Sequence, residues 1–296
     1  MNLPTSLAFF PWKPAAWLRV AGSDAANFLQ GQFSNDLRAT PAGGAVYGLW
    51  LTVKGKVVAD SFVVKGGAAD EFWVGSYFSA AAVIREKLES FIIADDVGIE
   101  DATNEWAGVA LFGEGAAAAL AAESRDGFVF RGRRGKDESV EWVFPAANAD
   151  AVRGQVAGLR ELGADEMERR RIDAGIPAVP ADIGPGDLPH EGGLDESAIS
   201  YTKGCYLGQE VIARLKSMGQ VRRRLLLVAI AGDGIPKLPA PLFAGARRSG
   251  ELRSVARDGA GGFVGLAMLS MMHVGQNTLL AFAPGGVAST RIVAGP

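Results

Sequence analysis

The alternation of apolar and polar positions divides the chain into stretches of different character. Ala15–Ala21 is predicted as a strand, and Ser23 or Asp24 supplies the cap of the helix after it. A short side-chain oxygen satisfies the first free helical amides. That helix carries Phe28 and Leu29 and stops near Gly31, before "GQFSNDL" (Gly31–Leu37) and a Pro/Gly-rich turn at Pro41–Gly44. Two strand-like runs, Ala45–Val53 and Lys56–Lys65, meet at Lys54-Gly55 and read as a hairpin. Glu71–Gly75 predicts another strand. Val83, Ile84, Leu88 and Phe91 share one face of a helix over Ser79–Phe91.

From Trp106 the order changes. A strand (Ala107–Phe112), an alanine-rich helix (Gly115–Glu123), two strands (Gly127–Arg131 and Val140–Phe144), a helix (Ala149–Leu159) and a last strand near Met167–Ile172 follow one another. That succession is the ferredoxin-like split βαβ. "GIPAVPADIGPGDLPHEGGL" (Gly175–Leu194) holds too much Gly, Pro and Asp for a helix or a central strand, and long structured loops of this kind are often functional. Beyond Leu225, short apolar runs separated by Gly and Pro predict a small all-β barrel. There is no strict short-period repeat, although the similar α/β character of the N-terminal segment suggests a pseudo-duplication.

Composition narrows the function. The chain has 296 residues, 48% of them hydrophobic and 21% charged, enough apolar material for a substantial core. Its net charge of −3 gives no global attraction to nucleic acid or to an anionic membrane. The arginine clusters at Arg131–Arg134, Arg169–Arg171 and Arg222–Arg224 read first as solvated faces. A single cysteine forms no internal disulfide and cannot alone supply a zinc or iron–sulfur site. Histidine occurs twice, at His190 and His273, so a protein-encaged transition metal is not expected. The N-terminal stretch lacks the basic start and long apolar run of a signal peptide, and no apolar run reaches membrane-spanning length. A cytoplasmic location is the expectation.

The residue types leave two readings of Cys205. It is either a thiolate nucleophile or redox thiol with Lys203 lowering its pKa, or a small buried hydrophobe. A Cys–His pair with His190 is a lesser alternative. Among the carboxylates, Asp60 lies on a strand, Asp173 in "RRRIDAG" and Glu191 in "LPHEGG". Each is either a surface or turn acid, or an acceptor for the N–H edge of a pterin or purine.

These segments together resemble a known family. "KGCYLGQE" (Lys203–Glu210) resembles the K-G-C-[YF]-x-G-Q-E signature of the YgfZ family of folate-binding proteins, whose mitochondrial relatives act in iron–sulfur cluster assembly. "FLQGQFSND" (Phe28–Asp36), "KGKVVAD" (Lys54–Asp60), "RIDAGIP" (Arg171–Pro177), "PHEGGLDESAISYTKGC" (Pro189–Cys205) and "GQVRRRL" (Gly219–Leu225) match further family segments in order. The resemblance covers about residues 15–225 and extends toward the C-terminal barrel. Within the wider glycine cleavage T-protein superfamily it implies an α+β fold: a three-domain ring of T-protein type with ferredoxin-like α/β domains, a small C-terminal β-barrel and tetrahydrofolate in a central channel. The implied domains are 1–105 plus 165–225 for folate, 106–164 ferredoxin-like, and 226–296 the barrel.

The resemblance further implies that Asp60, Asp173 and Glu191 hold the pterin, that Trp17 stacks on it, and that Arg224 takes the glutamate tail. Cys205 acts beside the folate with Lys203 and Asp60. The implied partners are folate and iron–sulfur proteins or cluster carriers, including enzymes that thiolate tRNA, with no membrane and no direct nucleic-acid binding. Two positions depart from the pattern. Ala59 replaces one of two adjacent acids of the T-protein, and Met167 stands where some bacterial members carry a tryptophan. The first departure argues against methylene-transfer chemistry and leaves an aminomethyltransferase, or a non-catalytic partner-binding module stabilised by folate, as alternatives.

Overall fold

A computed structural model describes residues 3–4, 6–121, 126–232, 234, 236–275 and 277–294. The chain forms two compact units. The first comprises Met1–Arg133, Asp137–Gly163 and Ser197–Val211; the second comprises Arg134–Lys136, Ala164–Glu196 and Ile212–Pro296.

Two five-stranded sheets build the first unit. One has the order Ala45–Leu51, Val57–Lys65, Glu71–Ser76, Ala16–Ala21, Gly98–Asp101. The predicted hairpin, the Ala16–Ala21 strand and the helices Ala25–Gln32 and Ala81–Glu89 are all present. The helices cover one face of this sheet, where Leu18, Leu29, Trp50, Ile84 and Leu88 are buried. Each such side chain contributes about 2 kcal/mol when removed from water. The other sheet has the order Arg160–Glu161, Ala8–Trp12, Trp106–Phe112, Ser139–Pro145, Phe128–Arg131. It carries the helices Ala116–Ala121 and Ala149–Val156 on a core that includes Leu111, Trp142 and Val152. The predicted alanine-rich helix extends to residues 122–123, which lie outside the described residues.

Three elements differ from the sequence expectation. Residues 8–12 form a strand that pairs antiparallel with Trp106–Phe112 and parallel with Arg160–Glu161. The segment expected as a last strand, Met167–Ile172, lies instead in the helix Ala164–Asp173. Its charges explain the correction. Glu166 pairs with Arg170 and Arg169 with Asp173 across one helical turn, while Met167 and Ile172 are buried. Gln209–Met218, where the pattern predicted no element, is a ten-residue helix.

The second unit holds a six-stranded antiparallel sheet in the order Ala240–Ala244, Arg247–Arg257, Phe263–Ser270, Arg223–Ile230, Thr290–Ala294, Leu279–Leu280. An isolated bridge between Phe243 and Ala281 joins its two ends, so the sheet is a nearly closed barrel around Leu226, Val228, Leu242 and Leu269. The Gly175–Leu194 stretch has no long regular element, only a short 3-10 turn at Pro189–Gly192. Among the described residues no helix is long and apolar enough to cross a membrane.

Candidate functional site

In the first unit the fold brings three motif segments together: Phe28–Asp36, the Lys54–Asp60 hairpin and Lys203–Glu210. The connection begins at Ser34, which is fully buried. Its hydroxyl donates to the Ala198 carbonyl at 2.6 Å and accepts from the Leu49 amide at 2.8 Å. The Ser200 amide donates to the Ser34 carbonyl at 3.0 Å, and the Leu207 amide to the Gly31 carbonyl at 3.1 Å. Gly208 has φ +85° and presses on the hairpin, since a Cβ there would lie 2.6 Å from the Thr52 carbonyl oxygen. Only glycine meets both demands without strain.

Lys203 locks this arrangement. It is only 4% exposed. Its Nζ donates to the carbonyls of Gln30, Phe33 and Asn35 at 2.6, 2.7 and 2.9 Å. An ammonium has three donors, and all three are spent on the backbone of the Phe28–Asp36 segment. Burial pushes its pKa down to about 8, which leaves it mostly protonated at neutral pH. Two residues on, Cys205 is exposed. That placement removes the buried-hydrophobe reading of the thiol.

Asp60 sits in the middle of the Val57–Lys65 strand and is buried. Its Oδ1 accepts from the Ser76 and Ser79 hydroxyls at 2.8 and 2.7 Å, and its Oδ2 from the Tyr47 hydroxyl at 3.0 Å. A carboxylate has about four acceptor positions, so Oδ2 retains one. Burial raises its pKa, against the lowering effect of these three hydroxyls and of Arg133. The Arg133 guanidinium lies 4.6 Å over the Tyr47 ring. Its Nη1 is buried and has no hydrogen-bond partner among the described residues. A buried donor left unmade is costly, and here it lies beside a carboxylate with spare acceptor capacity.

A carboxyl whose folded pKa is raised stabilises the fold most below its unfolded value. That stability is lost as pH rises through the folded value. Asp60→Asn removes the titration while keeping the shape. The expected result is that wild type loses stability relative to Asp60→Asn as pH rises through a window above about pH 4, the ordinary carboxylate value, measured by urea unfolding of both proteins. A difference that stays constant across the window would contradict a buried, raised carboxyl.

The remaining sequence candidates fall in other surroundings. Trp17 is fully buried in the first unit, with Trp73 at 6.0 Å, Trp106 at 5.7 Å and Phe128 at 5.9 Å from its ring. Aromatic neighbours take up the ring, which acts as core. In the second unit, Asp173 ends its helix and pairs with Arg169 at 3.4 Å. Glu191 is buried, accepts from the Leu188 amide at 2.7 Å and holds Arg223 through both oxygens at 3.0 Å. Arg223 also reaches Asp187 at 3.0 Å, whereas Arg224 is exposed. The arginine that pairs with the predicted acid is therefore the neighbour of the predicted one.

Sequence reasoning did not single out Tyr47, Ser76, Ser79 or Arg133 for the Asp60 site. Tyr47 stands on the hairpin itself, Ser76 ends the next strand, Ser79 opens the predicted helix, and Arg133 belongs to an arginine cluster read as a solvated face.

Comparison with known proteins places these features. Residues 5–130 match the family model described as the GCVT N-terminal domain. The chain is 30% identical over 283 residues to the iron-sulfur cluster assembly factor IBA57, mitochondrial, of Mus musculus, covering 86% of this chain and 75% of the relative. It is 23% identical over 303 residues to an aminomethyltransferase of Bacillus cytotoxicus, covering 93% of this chain and 81% of the relative. In structure it is similar to the glycine cleavage system aminomethyltransferase T from Bartonella henselae, with a TM-score of 0.80 and 18% identity over 97% of this chain and 85% of that one. The fold is that of the T-protein, as the sequence motifs implied.

Proposed function

The chain belongs to the GCVT-domain family of the glycine cleavage T-protein superfamily, and from that premise we propose that it is a folate-binding protein supporting the assembly or repair of iron–sulfur proteins, tRNA-thiolating enzymes among them. The assembly role follows the relative from Mus musculus, which carries that role in its name. The observation that carries the reading is the exposed Cys205 on a turn clamped by Lys203 to the Phe28–Asp36 segment. A scaffold that spends a buried lysine and a positive-φ glycine on one turn holds its thiol in a fixed place.

The first unit has groups that fit a folate ring. Asp60 Oδ2 has an acceptor position for a ring N–H, and Arg133 Nη1 is a donor without a partner, suited to a ring carbonyl oxygen. Tetrahydrofolate, when bound, supplies a carrier of one-carbon units. Tyr47, Ser76 and Ser79 fix the carboxyl in place, so it meets a ligand with its geometry already set. Asp173, Glu191 and Arg224 are further folate candidates given by the family resemblance. A cluster held at Cys205 takes its other ligands from a partner protein or a small thiol, because one cysteine is too few.

A second reading, a tetrahydrofolate-dependent aminomethyltransferase, is favoured by the relative from Bacillus cytotoxicus. Ala59 opposes it, because a core methyl stands where the T-protein has a second acid. Turnover of a methylated amine donor with tetrahydrofolate would revive it.

The cellular test uses Cys205→Ala in cells lacking their own copy of this protein. The variant is expected to fold and melt like wild type, because the thiol is exposed. It is expected to fail to restore the activity of iron–sulfur enzymes. Full restoration would remove the thiol from the function and leave a partner-binding module.

A further inference from the structure

We infer that Arg133 sets the specificity of the Asp60 site, selecting a pteridine with an oxygen at ring position 4 against one with an amino group there. This selectivity rests on the folate reading proposed above.

The acceptor half of the site is fixed by the backbone. The Ser76 hydroxyl accepts from the amides of Phe78 and Ser79 at 3.3 and 3.0 Å, and the Ser79 hydroxyl accepts from the Asp60 amide at 3.1 Å. With lone pairs engaged in this way, both hydroxyls turn their protons to Asp60 Oδ1. The Tyr47 hydroxyl donates to Oδ2. All three hydroxyls on Asp60 donate, so its open position is an acceptor.

The donor half is fixed from two sides. The Arg133 amide donates to the Tyr77 hydroxyl at 3.3 Å, and that hydroxyl donates to Oε1 of the fully buried Glu141 at 2.8 Å. The Arg133 guanidinium rests on the Tyr47 ring, its central carbon 4.6 Å from the centroid. Such a contact holds a cation over an aromatic face. Arginine keeps its proton at any working pH, so Nη1 is a donor only, and it has no hydrogen-bond partner among the described residues. Tyr47 joins the two halves, with its hydroxyl on Asp60 and its face under Arg133.

An acceptor beside a donor complements an N–H beside a C=O, the edge that a 4-oxo pteridine presents. A 2,4-diamino pteridine has an amino group in place of that oxygen, and a more basic ring. A carboxylate alone would favour the diamino ring, because a protonated ring gives it charge-assisted hydrogen bonds. Arg133 opposes that preference in two ways. It sets donor against donor at the amino group, and its charge repels a protonated ring. A site built to bond one polar group discriminates against an analogue lacking it, since its own buried group then goes unpaired.

The test is calorimetric titration of the full chain with tetrahydrofolate and with tetrahydroaminopterin, which differ only at position 4 of the ring. Wild type is expected to bind tetrahydrofolate at least about tenfold more tightly. Arg133→Met is expected to lose this preference, and to melt no lower than wild type because it removes an unmade buried donor. Equal affinity of wild type for the two ligands, or a preference that survives in Arg133→Met, would overturn the role of Arg133 and leave the folate reading standing. Wild type that binds neither ligand would overturn the folate reading, and the selectivity with it.

Discussion

Arg171→Met is expected to destabilise the protein by about 3–5 kcal/mol, the cost of leaving a buried charge without its partner. The side chain of Arg171 is 5% exposed and that of Asp182 is fully buried. Arg171 Nη1 donates to Asp182 Oδ2 and to the Ile176 carbonyl, both at 2.6 Å, and Nη2 donates to Ser254 at 2.9 Å. Glu168 takes the remaining donors. Burial works against the charge, but Glu168 and Asp182 outweigh it and hold the pKa above the ordinary arginine value.

One side chain thus ties the Ala164–Asp173 helix, the start of the Gly175–Leu194 stretch and the Arg247–Arg257 strand of the barrel. Asp182 Oδ2 also accepts from the Ala178 amide at 2.8 Å, so the loss of Arg171 strands a carboxylate that organises a turn. Arg171→Met/Asp182→Asn is expected to recover part of the loss, because the orphaned charge goes too. Denaturant unfolding of the wild type, both single variants and the double variant measures the coupling. Additive losses would show that the two side chains do not act as a pair.

Lys203→Met is the second large effect, with an expected loss of about 3 kcal/mol from carbonyl acceptors left unsatisfied. Lys203→Arg is expected to rescue little, since a planar guanidinium does not match three carbonyls converging on one point. The local consequence matters more for function. Without the ammonium, the turn carrying Cys205 loses its anchor on Gln30, Phe33 and Asn35. Limited proteolysis is expected to cut Lys203→Met within 201–208 at protease levels that leave wild type intact. If Lys203 acted only by tuning the thiol, proteolysis would not change and the reactivity of Cys205 with a disulfide reagent would shift to higher pH.

Much of the fold was legible because its signals are local. The hairpin around Lys54-Gly55 announces itself by two apolar runs and a turn, and the helices by the spacing of Phe28-Leu29 and of Ile84 and Leu88. The barrel follows from short apolar runs broken by Gly and Pro. What escaped was non-local. The strand at residues 8–12 owes its state to Trp106–Phe112, nearly a hundred residues away in the chain. Met167–Ile172 was misread because its two apolar ends also fit a strand. Its intervening charges pair only at helical spacing.

The site divides in the same way. Asp60, Lys203 and Cys205 stand in recognisable motifs. The hydroxyls of Tyr47, Ser76 and Ser79 meet Asp60 only once the strands are registered, and Arg133 was hidden in a basic cluster. Neighbouring arginines on one strand look alike in sequence, so only burial and partner distinguish Arg223 from Arg224.

The central claim is that Asp60 and Arg133 hold folate while Cys205 serves a separate purpose. The most direct measurement is calorimetric titration of tetrahydrofolate into wild type, Asp60→Asn and Cys205→Ala. Saturable binding by wild type, weakened at least about tenfold in Asp60→Asn and unchanged in Cys205→Ala, is the expected result. Wild-type protein that takes up no tetrahydrofolate, or an Asp60→Asn variant that binds as tightly as wild type, would contradict it.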